Sequence, residues 1–258
     1  MTGRRLLTLV GAVLGGVFLA RAALARRRSE AAAPEVLPPD AVRRLYDRLA
    51  PFYNTLAAGY RLVGAGAFRR RTVEALGLRP GDVAVDLACG TGVNFPYLVE
   101  AVGTTGRVVG VDLSPGMLKE ARNRVEHNGW TNVELVEADM RNYAFPPSAH
   151  AVLSTFGLEM VPEYDDVVSR AVAALAPGGR IAVSGLRHPE KWPEWLIRLG
   201  ELVNRPFGVN RAYENVQPWR SVEARAVNVR YEEYLVGAVY LAIGDAPPTS
   251  PLGSHRDA

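Results

Sequence analysis

The chain has a single cysteine, Cys89, in 258 residues. That excludes an intrachain disulfide and any metal site made of several thiolates, and it suits a reducing compartment. Histidine is scarce, with four residues, and no His/Asp/Glu spacing has the form of a catalytic metal site, so no metal is expected. No Gly-x-Ser-x-Gly element is present, which removes the nucleophile-elbow hydrolases. Clustered charge of one sign is also missing from the body of the chain. The net charge is +3, yet Arg4, Arg5, Arg21, Arg26, Arg27 and Arg28 lie in the first 28 residues without an acid, so the remainder is net −3. A duplex-binding face needs clustered cations within the domain. The run Arg69-Arg-Arg71 reads as a solvated helix face, and no nucleic-acid partner is expected.

An uninterrupted apolar run of full membrane-spanning length is lacking too. Leu6–Ala20 is uncharged over 15 residues, whereas a span takes about 20. Extension to Ala25 includes Arg21, whose side chain can snorkel to the headgroups. Residues 1–25 are therefore expected to be a hydrophobic anchor. The denser arginines after the run place the rest of the chain in the cytoplasm by the positive-inside rule. Two other readings stay open: a cleaved signal peptide, since Ala23-Leu-Ala25 resembles a cleavage site, and a helix lying on the membrane or on protein. Residues 26–39, with prolines at 34, 38 and 39, read as a linker. Residues 40–245 read as one domain and 246–258 as a disordered tail.

What is present is a core and an alternation. Hydrophobic residues make up 48% of the chain, enough for a sizeable core. Asp40 can cap a helix that Pro51 interrupts, followed by a second helical stretch over 52–76. Strand patterns at Val83–Leu87, Arg107–Val111, Val133–Val136, Ala151–Thr155 and Arg180–Ser184 alternate with helix patterns at 94–102, 115–128 and 163–175. A helix at 190–204 and a strand pair at 224–234 and 238–244 follow. This order predicts an α/β, Rossmann-like, doubly wound sheet of seven mostly parallel strands, closed by a C-terminal antiparallel hairpin and preceded by the N-terminal hydrophobic helix.

The chemistry concentrates at strand ends. Val83-Ala-Val-Asp-Leu-Ala-Cys-Gly-Thr-Gly92 is an apolar run ending in an acid and a glycine loop. Val108-Val-Gly-Val-Asp112 is a second run ending in an acid. Glycines let backbone approach a ligand, and a carboxylate at a strand end takes ribose hydroxyls. A dinucleotide fold would carry a third glycine, yet Gly92 is followed by Val93-Asn-Phe95, and Asp86 before the loop would repel a diphosphate.

These motifs resemble the class I S-adenosylmethionine-dependent methyltransferases. The later segments Glu137-Ala-Asp-Met140, Ser154–Pro162 and Leu175-Ala-Pro-Gly-Gly-Arg180 follow in the family's order. The resemblance implies S-adenosyl-L-methionine as cofactor. It implies Asp86, Ala88, Gly90 and Gly92 around the methionine and ribose parts, and Asp112 on the two ribose hydroxyls. Leu113 and Met117 would flank the adenine, Asp139 and Met140 would lie at its edge, and Ser154 would sit near the transferred methyl. Leu45-Tyr-Asp-Arg-Leu-Ala-Pro-Phe-Tyr-Asn54 is similar to a Y-D-x-x-A-x-x-Y-D segment of quinone-biosynthesis and related lipid methyltransferases. It implies a helix closing over the cofactor, with Tyr46 and Tyr53 shielding the sulfonium; Asn54 departs from the pattern.

The implied reaction is in-line methyl transfer to a small or lipid-like acceptor of the quinone or phospholipid class. Glu159, Tyr164, Asp165 and His188 are candidates for a base, and no catalytic residue is fixed. A non-catalytic tethered module and a nicotinamide-dependent oxidoreductase remain as alternatives. The acceptor atom and the oligomeric state are not written in the motifs.

Overall fold

The computed structural model describes residues 36–209 and 216–248. The expected anchor at residues 1–25, most of the linker and most of the tail lie outside the described residues. Among the described residues, no helix is long and apolar enough to cross a membrane.

Helix α1 (Pro39–Ala57) leads through a 3₁₀ turn (Ala58–Val63) into α2 (Ala65–Ala75). Strand β1 (Val83–Leu87), α3 (Phe95–Val102), β2 (Arg107–Asp112), α4 (Pro115–Asn128) and β3 (Val133–Glu137) follow. Next come β4 (Ala149–Thr155), a 3₁₀ turn (Leu158–Met160), α5 (Tyr164–Ala173) and β5 (Leu175–Leu186). The chain ends in α6 (Glu194–Asn204), a 3₁₀ turn (Arg205–Phe207), α7 (Pro218–Arg225), β6 (Val227–Tyr234) and β7 (Val239–Asp245). The seven strands form one sheet in the order β3-β2-β1-β4-β5-β7-β6. The first five are parallel, and β7 and β6 are each antiparallel to their neighbour.

Both faces of the central strands are buried, so β1 and β2 read as continuous apolar runs rather than alternating ones. One face packs Val85, Leu87, Val152, Ile181 and Tyr240 against α5 and α7. The other packs Ala84, Leu153, Ala182 and Leu241 with Phe95 and Leu98 of α3 and Leu118 of α4. The order of strand addition reverses between the parallel neighbours β1 and β4, on either side of which the crossovers run outward. This switch point places the cleft at the carboxyl ends of the strands.

Four expectations need correction. Pro51 does not interrupt α1, which runs through it. The lost backbone hydrogen bond is offset by side-chain bonds from this helix to the glycine loop and α4, described below. The stretch expected as one helix over 52–76 is broken, because Gly64 takes a left-handed conformation at φ 90° ahead of α2. Strand β5 begins before the Pro177-Gly-Gly turn: Leu175 pairs with Ala149 and the register resumes at Arg180 with Ala151. Pro218 starts α7 where the strand pattern extended back to 224, and β6 begins only at Val227.

Candidate cofactor and acceptor cleft

The glycine loop leaves β1 through Ala88, which takes a positive φ of 54°, followed by Gly90 at 56° and Gly92 at 73°. The two glycines have different reasons. A Cβ on Gly90 would meet nothing within 4 Å, because it would project into open space at the cleft. A Cβ on Gly92 would lie 2.5 Å from the ring of Phe95, and one on Gly110 of β2 would lie 2.6 Å from the same ring. Ala88 and Gly90 thus line the cleft, whereas Gly92 makes room for a core side chain beneath it.

Asp112 ends β2 with its carboxylate clamped by the loops on either side. One oxygen accepts from the Gly90 amide at 2.8 Å and the other from the Ser114 amide at 2.9 Å. Burial raises its pKa to about 6, against those hydrogen bonds, which favour the charged form. Asp86 is fully buried under the floor and does not line the cleft. The Asn94 amide donates to both its oxygens at 3.1 Å, and burial raises its pKa to about 7. Asn94 also donates to Thr155 Oγ1 at 3.0 Å and accepts from Arg69 Nη1 at 2.9 Å. No local motif signals this Asp86–Asn94–Thr155–Arg69 network, although Asn94 lies just beyond the glycine loop. Arg69, expected on a solvated face, is instead half-buried and in the cleft wall, with its pKa lowered by desolvation.

Beyond Asp112 the wall is apolar and sulfur-rich. Leu113, Met117, Ala138 and Met140 line it. Ser114 caps α4 by accepting from the Met117 amide at 3.0 Å, and this cap turns Met117 inward. Asp139 lines the same end, locked by Arg141, whose Nη2 donates at 2.6 Å and whose backbone amide donates at 2.9 Å. The guanidinium holds the Asp139 pKa below the usual carboxylate range.

Helix α1 covers this floor. Asp47 Oδ1 accepts from Ser114 Oγ at 2.6 Å and from the Gly116 amide at 3.0 Å, a carboxylate at the N-terminus of α4. Asn54 Oδ1 accepts from Thr91 Oγ1 at 2.8 Å. Fixed at these two points, the helix turns Tyr46 and Tyr53 into the cleft. Phe207 packs edge-on against Tyr53 with centroids 5.8 Å apart, and Tyr46 donates to the Phe207 carbonyl at 3.1 Å. Burial raises the Tyr53 pKa. Phe156, Gly157, Met160, Val161 and Pro162, after β4, complete the lining of the cleft.

Other sequence candidates lie elsewhere. Ser154 is buried on the opposite face, among Leu87, Val152 and Val183, and its hydroxyl has no partner. Glu159 is enclosed behind the wall, its carboxyl seated on Gly185 and accepting from Tyr240 at 3.1 Å; burial raises its pKa to about 7. Tyr164 packs against the core, Asp165 pairs with Arg225 at 2.5 Å, and His188 is likewise not part of the cleft wall. Among the described residues, no cluster of three His, Cys, Asp or Glu could hold a metal.

Residues 84–179 match the methyltransferase domain family. The chain is 28% identical over 190 residues to a 2-phytyl-1,4-naphtoquinone methyltransferase of Thermosynechococcus vestitus, covering 71% of this chain and 83% of that protein. The chain is an S-adenosylmethionine-dependent methyltransferase. A ubiquinone/menaquinone biosynthesis C-methyltransferase of Ectopseudomonas mendocina is 34% identical over 152 residues, 55% of this chain and 59% of that protein. The chain thus spans less than two thirds of that second relative's length. The fold matches geranyl diphosphate C-methyltransferase from Streptomyces coelicolor with a TM-score of 0.61 at 17% identity, over 83% of this chain and all of that one. S-Adenosylmethionine is the cofactor of this methyltransferase, and the donor set suits it. The clamped Asp112 offers oxygens to vicinal hydroxyls, the void before Gly90 admits a ligand where a Cβ would stand, and no third glycine prepares for a diphosphate.

Proposed function

We propose that this methyltransferase transfers a methyl group to a quinone-class, lipid-like acceptor. The observation that carries the reading is the apolar part of the cleft lining: Tyr46, Tyr53, Phe156, Met160, Val161 and Pro162 form an aromatic and apolar surface suited to a flat hydrophobic ring. The quinone methyltransferases among its relatives support the same class.

When bound, the cofactor supplies an electrophilic methyl on a cationic sulfonium. Asp112, held in one orientation by two backbone amides, is assigned to the ribose hydroxyls. Leu113, Met117 and Met140 are assigned to the adenine faces, and Asp139 to its edge. Asp86 acts from beneath the floor, through Asn94, rather than by direct contact. The Tyr53 and Tyr46 rings favour a cation by their π-faces and exclude water. The leaving group is already activated, so holding the acceptor in line with the methyl supplies much of the rate.

The arginine-flanked apolar run at Leu6–Ala20 supports a membrane-side setting, with residues 1–25 as anchor and the catalytic domain in the cytoplasm. Such a setting would raise the enzyme's concentration near a bilayer-dissolved acceptor. The test is incubation of the full chain with membrane extract and a labelled methyl donor, followed by mass spectrometry. Label in a quinone-class lipid is expected. Label confined to water-soluble products, or to phospholipid, overturns the acceptor class.

A further inference from the structure

The cleft contains a cation that no carboxylate among the described residues touches directly. Arg69 rises from α2, is half-buried, and lines the cleft beside Tyr53, Thr155 and Phe156. Its Nη1 donates to Asn94 Oδ1 at 2.9 Å and to Thr155 Oγ1 at 2.5 Å, and its guanidinium carbon lies 5.4 Å from the Phe156 ring centroid. All three partners are neutral. Asp86 acts on Arg69 only across Asn94, whose amide takes both of its oxygens. Among the described residues, no carboxylate stands within ion-pair distance of Arg69, and its Nε and Nη2 make no hydrogen bond. Arg141, the other arginine of the cleft, differs in each respect, being locked on Asp139 at 2.6 Å.

A guanidinium taken partly out of water without a directly paired carboxylate is costly. Here it is held in position by two neutral oxygens and a ring, with one edge of its donor fork unspent. That edge fits two oxygens of an anion. Elsewhere the cleft presents Asp112 and Asp139, which repel one.

We propose that Arg69 is the anion anchor of the cleft, holding a carboxylate or other oxyanion of the bound ligands with its Nε and Nη2 edge. The inference rests on the cofactor reading. Two sources of that chemistry meet at this site: the amino-acid carboxylate of the cofactor and an ionised ring oxygen of the acceptor.

The test titrates S-adenosylhomocysteine and its decarboxylated analogue into the full chain and into Arg69→Gln and Arg69→Lys, by calorimetry. An anchor for the cofactor carboxylate makes Arg69→Gln weaken S-adenosylhomocysteine about 10- to 100-fold while the decarboxylated analogue changes less than about twofold. Arg69→Lys keeps the charge but not the fork, and loses less, on the same ligand only. An anchor for the acceptor leaves both titrations unchanged and instead lowers kcat/KM about 10- to 100-fold in the membrane-extract assay. Equal loss for both ligands, or no change in titration and turnover, overturns the proposal. Circular dichroism confirms that each variant folds, and Arg69→Lys carries the comparison if Arg69→Gln does not. Failure of the unaltered chain to bind S-adenosylhomocysteine at millimolar concentration would sink the cofactor reading instead.

Discussion

Asp112 and Tyr53 line one cleft and are held in opposite ways. Asp112 is fixed by backbone amides of the loops that follow β1 and β2, two buried strands of the sheet. Tyr53 is fixed by side chains: Asp47 and Asn54 tie its helix down, and Phe207 supports its ring. The Asp112 side is thus part of the fold's core, while the Tyr53 side is a cover laid over it. Around the cover lie large apolar residues that the core would have hidden, including Phe52 at 64% and Trp195 at 62% exposure. Backbone clamps determine geometry whatever the surrounding sequence, whereas side-chain clasps can be exchanged, which lets one donor site serve many acceptors.

The contrast can be broken at several points. The largest effect is expected at Asp112. Asp112→Ala should weaken S-adenosylhomocysteine by roughly 100-fold or more, as charge-assisted bonds to both ribose hydroxyls disappear. Calorimetry reads this directly, and Asp112→Asn, which retains the shape, should lose less. Equal affinity in the alanine variant would remove Asp112 from the site.

Next comes Gly92→Ala, which combines a positive φ with a Cβ inside the Phe95 ring. Urea denaturation should show a loss of about 2–3 kcal/mol. A loss below about 0.5 kcal/mol would mean that the donor loop is as adaptable as the cover.

The Asp112 side should also answer to pH. The Asp112 pKa is raised to about 6, so cofactor affinity should climb as pH rises from 5 to 7 and the carboxylate ionises. Folding responds in the opposite sense. Asp86, Asp112 and Glu159 bind protons more tightly in the folded chain than in the unfolded one. Their contribution to stability is therefore present below their unfolded pKa values near 4 and is lost as pH rises towards about 7. Thermal melts of the ligand-free chain across that range check the sign, and a melting temperature that rises with pH would contradict it.

The smallest effect is expected on the cover. Asp47→Ala removes the acceptor of the Ser114 hydroxyl and Gly116 amide bonds and should cost about 1 kcal/mol. It should raise the KM for acceptor more than that for the cofactor. Steady-state kinetics with both substrates varied would separate the two, and a larger effect on cofactor KM would make α1 part of the donor site.

The same contrast explains what could be read from the chain. Sheet order, the loop at Ala88–Gly92 and the position of Asp112 follow from local patterns: apolar runs, glycines at turns, and acids at strand ends. Arg69 and Asn94 escaped because their roles depend on residues 86 positions apart meeting, Arg69 with Thr155. Ser154 shows the limit of alternation. A strand turns successive side chains to opposite faces, so Thr155 reaches the cleft and Ser154 does not. Pro51 misled for a third reason, since tertiary clasps outweighed a local helix penalty.

Phe95 has a consequence for anyone altering this enzyme. Its ring fills the space where Gly92 and Gly110 would each carry a first side-chain carbon, so a residue from α3 sets the gap between two strand ends. Positions 92, 95 and 110 therefore constitute a single unit of sequence. A library that varies the three together, trading ring volume for a methyl at one glycine, should yield folded members that no stepwise search through single changes would reach.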